Sequence, residues 1–261
     1  MRKMAFFLAL CLLLPGCKRD ISQETTASET ATVQTTAVQT EIPETTEQHF
    51  VYFHEEDVSY VQLYAPVLDT YYQALTEKWN QAQCAQANIS ILTAYCTEGA
   101  EPLQNMCFLF HDLDGDGDKE LLIGAAVNDE PVDRQLFEVC DLVDGEPRQL
   151  LCGSERNRYY LCYDENSVCW IANEGSGGAA VSGWFYSLYD GMGLAVQKSV
   201  IFDADTSPSA PWYLGQDGEW DVTGKEPVDE AAARSVIASF DAIKGNIHRD
   251  FSHQHTFDDL T

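Results

Sequence analysis

Basic residues are scarce in this chain: 15 Lys and Arg stand against 42 Asp and Glu, a formal charge of −27 over 261 residues. Nucleic-acid phosphates would be repelled by it, and so would an anionic lipid surface, so membrane attachment would have to come from something other than surface charge. Long apolar runs are missing as well. The longest, Met4 to Leu14, is too short to span a bilayer as a stable helix. No Cys-x-x-C occurs, which removes the usual spacing of zinc ribbons and dithiol redox sites. Between Ile21 and Gln48 large apolar side chains all but vanish in favour of Thr, Ser, Glu, Gln and Ala. Such a stretch cannot bury enough surface to offset chain entropy, and it reads as a flexible tether.

What is present begins with a targeting pattern: Arg2 and Lys3, the apolar run, then small residues. Leu14-Pro15-Gly16-Cys17 resembles the lipobox of bacterial lipoproteins. The resemblance implies that residues 1–16 are a signal peptide removed on export, and that Cys17 becomes the lipidated first residue of a chain facing outside the cytoplasm. Pro15 departs from the usual pattern two places before the cysteine. Residues 17–48 then carry the lipid and the tether, and 49–261 remain for one folded domain with a substantial core. The membrane, through Cys17, is one expected partner; the other is a protein or envelope component that the sequence does not name.

The densest chemistry lies in Asp112-Leu113-Asp114-Gly115-Asp116-Gly117-Asp118-Lys119-Glu120, five carboxylates and two glycines between apolar runs. A hard divalent cation takes roughly six to eight oxygens, and alternate positions of a tight loop aim carboxylates at one point. Asp112, Asp114 and Asp116 hold positions 1, 3 and 5, Gly117 permits the sharp turn, and Asp118 at position 7 offers its carbonyl. Five acids with only Lys119 beside them repel one another unless a cation enters. An EF-hand is excluded: position 12 is Ile123, and the flanks Met106 to Phe110 and Leu121 to Val127 read as buried strands rather than helices. Between strands, this pattern resembles the calcium hairpins of FG-GAP and VCBS-type repeats over about twenty residues. That resemblance implies calcium held by Asp112, Asp114, Asp116, Glu120 and the carbonyl of Asp118, with Glu at position 9 where Asp is usual. Those families repeat the motif around a propeller; this chain has one copy, so the propeller does not carry over. Asp203-Ala204-Asp205-Thr206-Ser207 starts similarly but has Pro208 in place of the glycine and reads as an ordinary loop.

Val58, Val61, Tyr64, Leu68, Tyr71, Leu75 and Trp79 recur at helical spacing over about twenty residues, with Pro66 either kinking that helix or opening a shorter one near Ala65. Ile89 to Tyr95 is a further helical or extended piece. From Met106 on, apolar runs alternate with turn clusters such as Asp144-Gly145 and Asp190-Gly191. These predict strands at 106–111, 121–127, 134–142, 147–152, 158–163, 168–173, 179–189, 194–202 and 211–214. Pro227, the acids Asp229 and Glu230, and the spacing of Ala232, Val236, Phe240 and Ile243 predict a last helix over 228–243. The expected fold class is α+β, an antiparallel meander with an N-terminal and a C-terminal helix packed on it. Cys162 and Cys169 flank a hairpin turn that would set them opposite each other, and Cys84 and Cys96 flank another loop; these pair as disulfides or serve as small core residues.

Catalysis has thinner support. Glu174-Gly175-Ser176-Gly177-Gly178 resembles the serine motif of chymotrypsin-like proteases, and Leu92-Thr93-Ala94-Tyr95-Cys96 their histidine motif, but Tyr95 stands where the histidine is required. A tyrosine is no neutral-pH base for serine, and the Asp before the serine is absent. His49 and His54 end the tether, His111 adjoins the calcium motif, and His248, His253 and His255 belong to a polar tail. Trp170, Trp184, Tyr186, Trp212 and Trp220 line a groove or fill a core. No catalytic residue is assigned. The sequence favours a non-catalytic, membrane-anchored extracytoplasmic module with a structural calcium; the alternative is a surface hydrolase acting on glycan, peptidoglycan or peptide.

Overall fold

The computed structural model describes residues 55–126, 135–164, 166, 168–244 and 254–261. The signal peptide 1–16, Cys17, the tether to residue 48, His49, His54, His248 and His253 lie outside the described residues.

Helices come first. α1 (Glu55–Leu63) and α2 (Ala65–Thr76) meet at Tyr64, with Pro66 in the first turn of α2, where a missing N–H costs nothing. The single long stripe therefore falls on two helices, and Leu68, Tyr71, Ala74 and Leu75 form the buried face of the second. α3 (Gln81–Gln86) opens with a capping box between Asn80 and Gln83, and α4 (Thr93–Cys96) follows.

Eleven strands then form one antiparallel sheet among the described residues: β1 (Met106–His111), β2 (Glu120–Ala125), β3 (Leu136–Val143), β4 (Glu146–Cys152), β5 (Asn157–Tyr163), β6 (Cys169–Ser176), β7 (Val181–Tyr189), β8 (Leu194–Asp203), β9 (Trp212–Gly215), β10 (Glu226–Val228) and β11 (His255–Thr256). Neighbours follow chain order from β5 to β10, and β4 pairs along β3. β11 instead returns to the free side of β1, setting Thr256 opposite Cys107. α5 (Glu230–Lys244) lies between β10 and β11 in the chain. The predicted α+β class and antiparallel sheet are observed; β10 and β11 were not foreseen.

Alternation sorts the side chains. Met106, Phe108, Leu121 and Ile123 pack with Tyr64, Tyr71 and Phe257 in one cluster, while Leu109, Leu122, Leu136, Leu161 and Ile171 form another. A bulge opposite Ile123 and Gly124 leaves Phe137 as the extra residue. It delivers Glu138 into the helix-lined cluster, where the Tyr71 hydroxyl donates to Oε2 and the Cys140 thiol lies 3.3 Å from Oε1. Burial raises the Glu138 carboxyl above its usual range. In α5, Phe240 stacks on Tyr186 with ring centres 3.7 Å apart and meets Trp170 edge-on.

Cys162 and Cys169 do not pair as a disulfide. Cys162 faces Trp170 across the β5–β6 ladder and Cys169 faces Tyr163, so the two thiols point to opposite faces of the sheet and cannot bridge. The other cysteines of the described residues also stand as thiols, and burial pushes Cys96 up to about 12 and Cys152 up to about 11, which suits inert core groups.

Candidate metal centre

The turn joining β1 to β2 is shaped by aspartates bonding their own backbone. Asp112 accepts from Gly115 N–H at 2.7 Å and from Gly117 N–H at 3.0 Å; Asp114 accepts from Asp116 N–H and Asp116 from Asp118 N–H. Gly115 and Gly117 sit at φ +82° and +99°, a region closed to most side chains, which is why glycine stands at both points. The outcome is convergence: one carboxylate oxygen from each of Asp112, Asp114 and Asp116 lies within 4.8 Å of the others, and this trio can hold a metal ion. Asp118 and Glu120 stand outside that trio; in the sequence reading the former contributes its carbonyl.

Glu120 is the most constrained acid of the motif. It is 4% exposed, and its Oε2 accepts from Leu113 N–H at 2.7 Å. Burial, aided by the charges of Asp114 and Asp112, pushes its carboxyl up to about 7. Asp114 is raised too, by burial and then by Asp116 and Asp112.

The motif's one lysine does not relieve this charge. Lys119 Nζ reaches away to Asp57 Oδ1 in α1 at 3.0 Å, and His255 of β11 lies 3.6 Å from the other oxygen of the same carboxylate. The Tyr64 hydroxyl donates to the Lys119 carbonyl at 2.9 Å. On the far side, the β7–β8 turn leans on the loop so closely that a Cβ on Gly191 would meet Asp114 Oδ2 at 3.1 Å. Asp141, in β3, is already neutralised by Arg148 and accepts the Tyr189 hydroxyl. Asp57, Tyr64 and Gly191 were missed by sequence reasoning, since each is brought to the loop from more than fifty residues away.

The remaining candidates are placed elsewhere. Ser176 donates to the carbonyl of Gly178 at 2.9 Å and lines a small cavity of about 150 Å³ with Glu155, Arg158, Glu174 and Trp184. Tyr95 is exposed and donates to Glu155. His111 shares a hydrogen bond with Tyr163. Asp203 closes its own turn by accepting from Asp205 and Thr206 N–H, as an ordinary loop does. Trp184 and Trp212 stack at 6.0 Å and belong to the core beneath a shallow groove of about 730 Å³ at the β8–β10 edge.

No protein-family model matches the chain, and neither a curated protein nor a solved structure matches it.

Proposed function

We propose that this protein is a lipid-anchored extracytoplasmic module, tethered through Cys17, whose folded domain carries one structural calcium and binds an envelope component or another protein without catalysing a reaction. Calcium is the ion this donor set fits best: every donor is a hard oxygen, and a loop of carboxylates plus a carbonyl supplies the irregular shell that calcium accepts. In this reading Asp112, Asp114 and Asp116 give side-chain oxygens, Asp118 its carbonyl and Glu120 the fifth protein ligand. Helices α1, α2 and α5 cover one face of the sheet, a view supported by the alternation that assigns Phe108 and Tyr186 to their contacts.

One observation carries the reading: Glu120 is buried beside two further carboxylates while Lys119 is committed to Asp57. A buried carboxylate without a nearby positive charge is costly, and a divalent cation removes the cost. An ion that binds only the folded state stabilises it by about 2.7 kcal/mol at a hundred times its dissociation constant. Extracellular modules bind in the range of roughly 10⁻⁴ to 10⁻³ M, so the site would be filled outside a cell without acting as a sensor. Thermal unfolding tests this directly. EDTA is expected to lower the melting temperature by about 5 °C relative to excess calcium, and Asp114→Ala to abolish the response. A melting curve indifferent to chelator would overturn the proposal.

A further inference from the structure

A second site stands apart from the metal loop, on the sheet face that carries Asn157, Tyr159, Asn173 and Gly175. In the β5–β6–β7 ladders Asn157 faces Gly175, which faces Gly183, while Tyr159 faces Asn173, which faces Phe185. The two glycines form a notch, and Trp220, from the loop between β9 and β10, rests its benzo edge in it. A Cβ on Gly175 would meet Trp220 Cζ2 at 2.7 Å, and one on Gly183 would meet Cη2 at 3.1 Å. Phe185 packs edge-on to the indole at 5.2 Å. Trp220 nonetheless remains 37% exposed.

The loop is held in place before any ligand arrives. Val222 is buried in a cluster with Phe185 and Ile201, and Lys225, its side chain covered, pairs with Asp217. An ordered, exposed tryptophan has already lost the freedom that binding would otherwise remove. Beside it runs an amide relay: Asn173 Nδ2 donates to Asn157 Oδ1 at 2.8 Å, and Asn157 Nδ2 donates to the Tyr159 hydroxyl at 2.9 Å. Asn157 Oδ1 and Trp220 Cζ2 both lie within 3.4 Å of one point above Gly175, so ring and relay are adjacent. The relay leaves the Asn173 Oδ1 acceptor and the Tyr159 hydroxyl proton without a protein partner among the described residues.

We propose that Trp220, Asn157, Asn173 and Tyr159 form a binding site for a neutral glycan. A pyranose presents C–H groups on one face and hydroxyls around its rim. The former suit an exposed indole, and the latter, each both donor and acceptor, suit one open acceptor beside one open donor. Every group named is neutral, and a chain of charge −27 disfavours anionic saccharides and phosphates. The inference names the ligand of the binding module proposed above and rests on that reading, but none of its residues touches the metal loop.

The test is isothermal titration of the calcium-loaded full chain with soluble neutral oligosaccharides: cellohexaose, maltohexaose and chitohexaose. Saturable binding by at least one is expected, weakened about tenfold or more by Trp220→Ala and several-fold by Asn173→Ala. Where Trp220→Ala fails to fold, Asn173→Ala and Trp220→Tyr carry the test, the latter keeping a smaller aromatic platform. Absence of binding up to about 10 mM sugar, or binding that these variants leave unchanged, overturns the proposal. Saturable binding of an extended peptide at Trp220 in place of the sugars does so too. If sugar binds while melting ignores chelator, the calcium reading alone falls.

Discussion

In the β1–β2 loop, Asp112, Asp114 and Asp116 each turn an oxygen onto a nearby N–H; in the β9–β10 loop, Asp217 accepts from Glu219 N–H and Asp221 from Thr223 N–H. Both loops are acidic, and both contain one lysine. Lys225 folds back onto Asp217 and holds its carboxyl below the usual range, as the Thr223 N–H does for Asp221. Lys119 leaves its loop for Asp57, and the acids it leaves behind, Asp114 and Glu120, move the other way. Acid content alone therefore does not make a cation site. What separates the two loops is first how deeply their acids are buried, and then where the lysine goes, the latter decided by a buried aspartate in another element.

The largest effect that would sharpen this contrast is on pH. The Glu120 carboxyl, near 7 in the fold against an ordinary 4.5, keeps a proton that the unfolded chain has already released. Its contribution to stability is complete below pH 4.5 and is lost as pH rises through about 7. The metal-free protein is thus expected to lose up to about 3 kcal/mol between pH 5 and 8 from this group. If Glu120 ligates calcium as proposed, the ion would keep the carboxylate ionised and is expected to flatten or reverse that slope. Urea unfolding across that range, with chelator and with calcium, measures it, and parallel profiles would break the contrast.

Next come the lysines. Asp57 is only 8% exposed at its side chain, whereas Asp217 is 56% exposed. Lys119→Met removes the ammonium from a buried carboxylate that keeps only His255 beside it and is expected to cost about 2 kcal/mol, while water can take over from the ammonium in Lys225→Met, at about 0.5 kcal/mol. Equal losses in chemical denaturation would mean that the two lysines do the same job. Between the two lysine effects falls Gly191→Ala: a φ of +79° and the contact with Asp114 predict a loss of about 1 kcal/mol, together with weaker calcium binding by titration.

Much of the sheet was legible because its turns carry their own chemistry. Asp144 and Gly145 both adopt positive φ, as the Asp-Gly pair between two apolar runs implies, and the strands on either side fall within a residue or two of their predicted limits. β10 and β11 were not legible, since three residues with a central proline and a pair of residues have no period to detect. The convergence of Asp112, Asp114 and Asp116 could be read from alternate spacing, because the loop folds on local bonds. The diversion of Lys119 could not: Asp57 looks like any other surface acid until the helix docks. Trp220 was read only as one aromatic among five, for its notch depends on Gly175 and Gly183 being cross-strand partners, a fact of register.

The return of β11 to β1 also makes one edge of the sheet depend on residues distant in sequence. The outer side of β1 is paired, at Cys107 and Phe108, only by residues some 150 positions later in the chain. Without them an apolar strand would show an open edge, the situation in which edge-to-edge association starts. The strand that closes it is two residues long, held by the Phe257 ring in the core and the Thr256–Asp259 cap. So short a latch makes eight residues decide the fate of that edge: removing residues 254–261 would leave one side of β1 open to pairing with another chain.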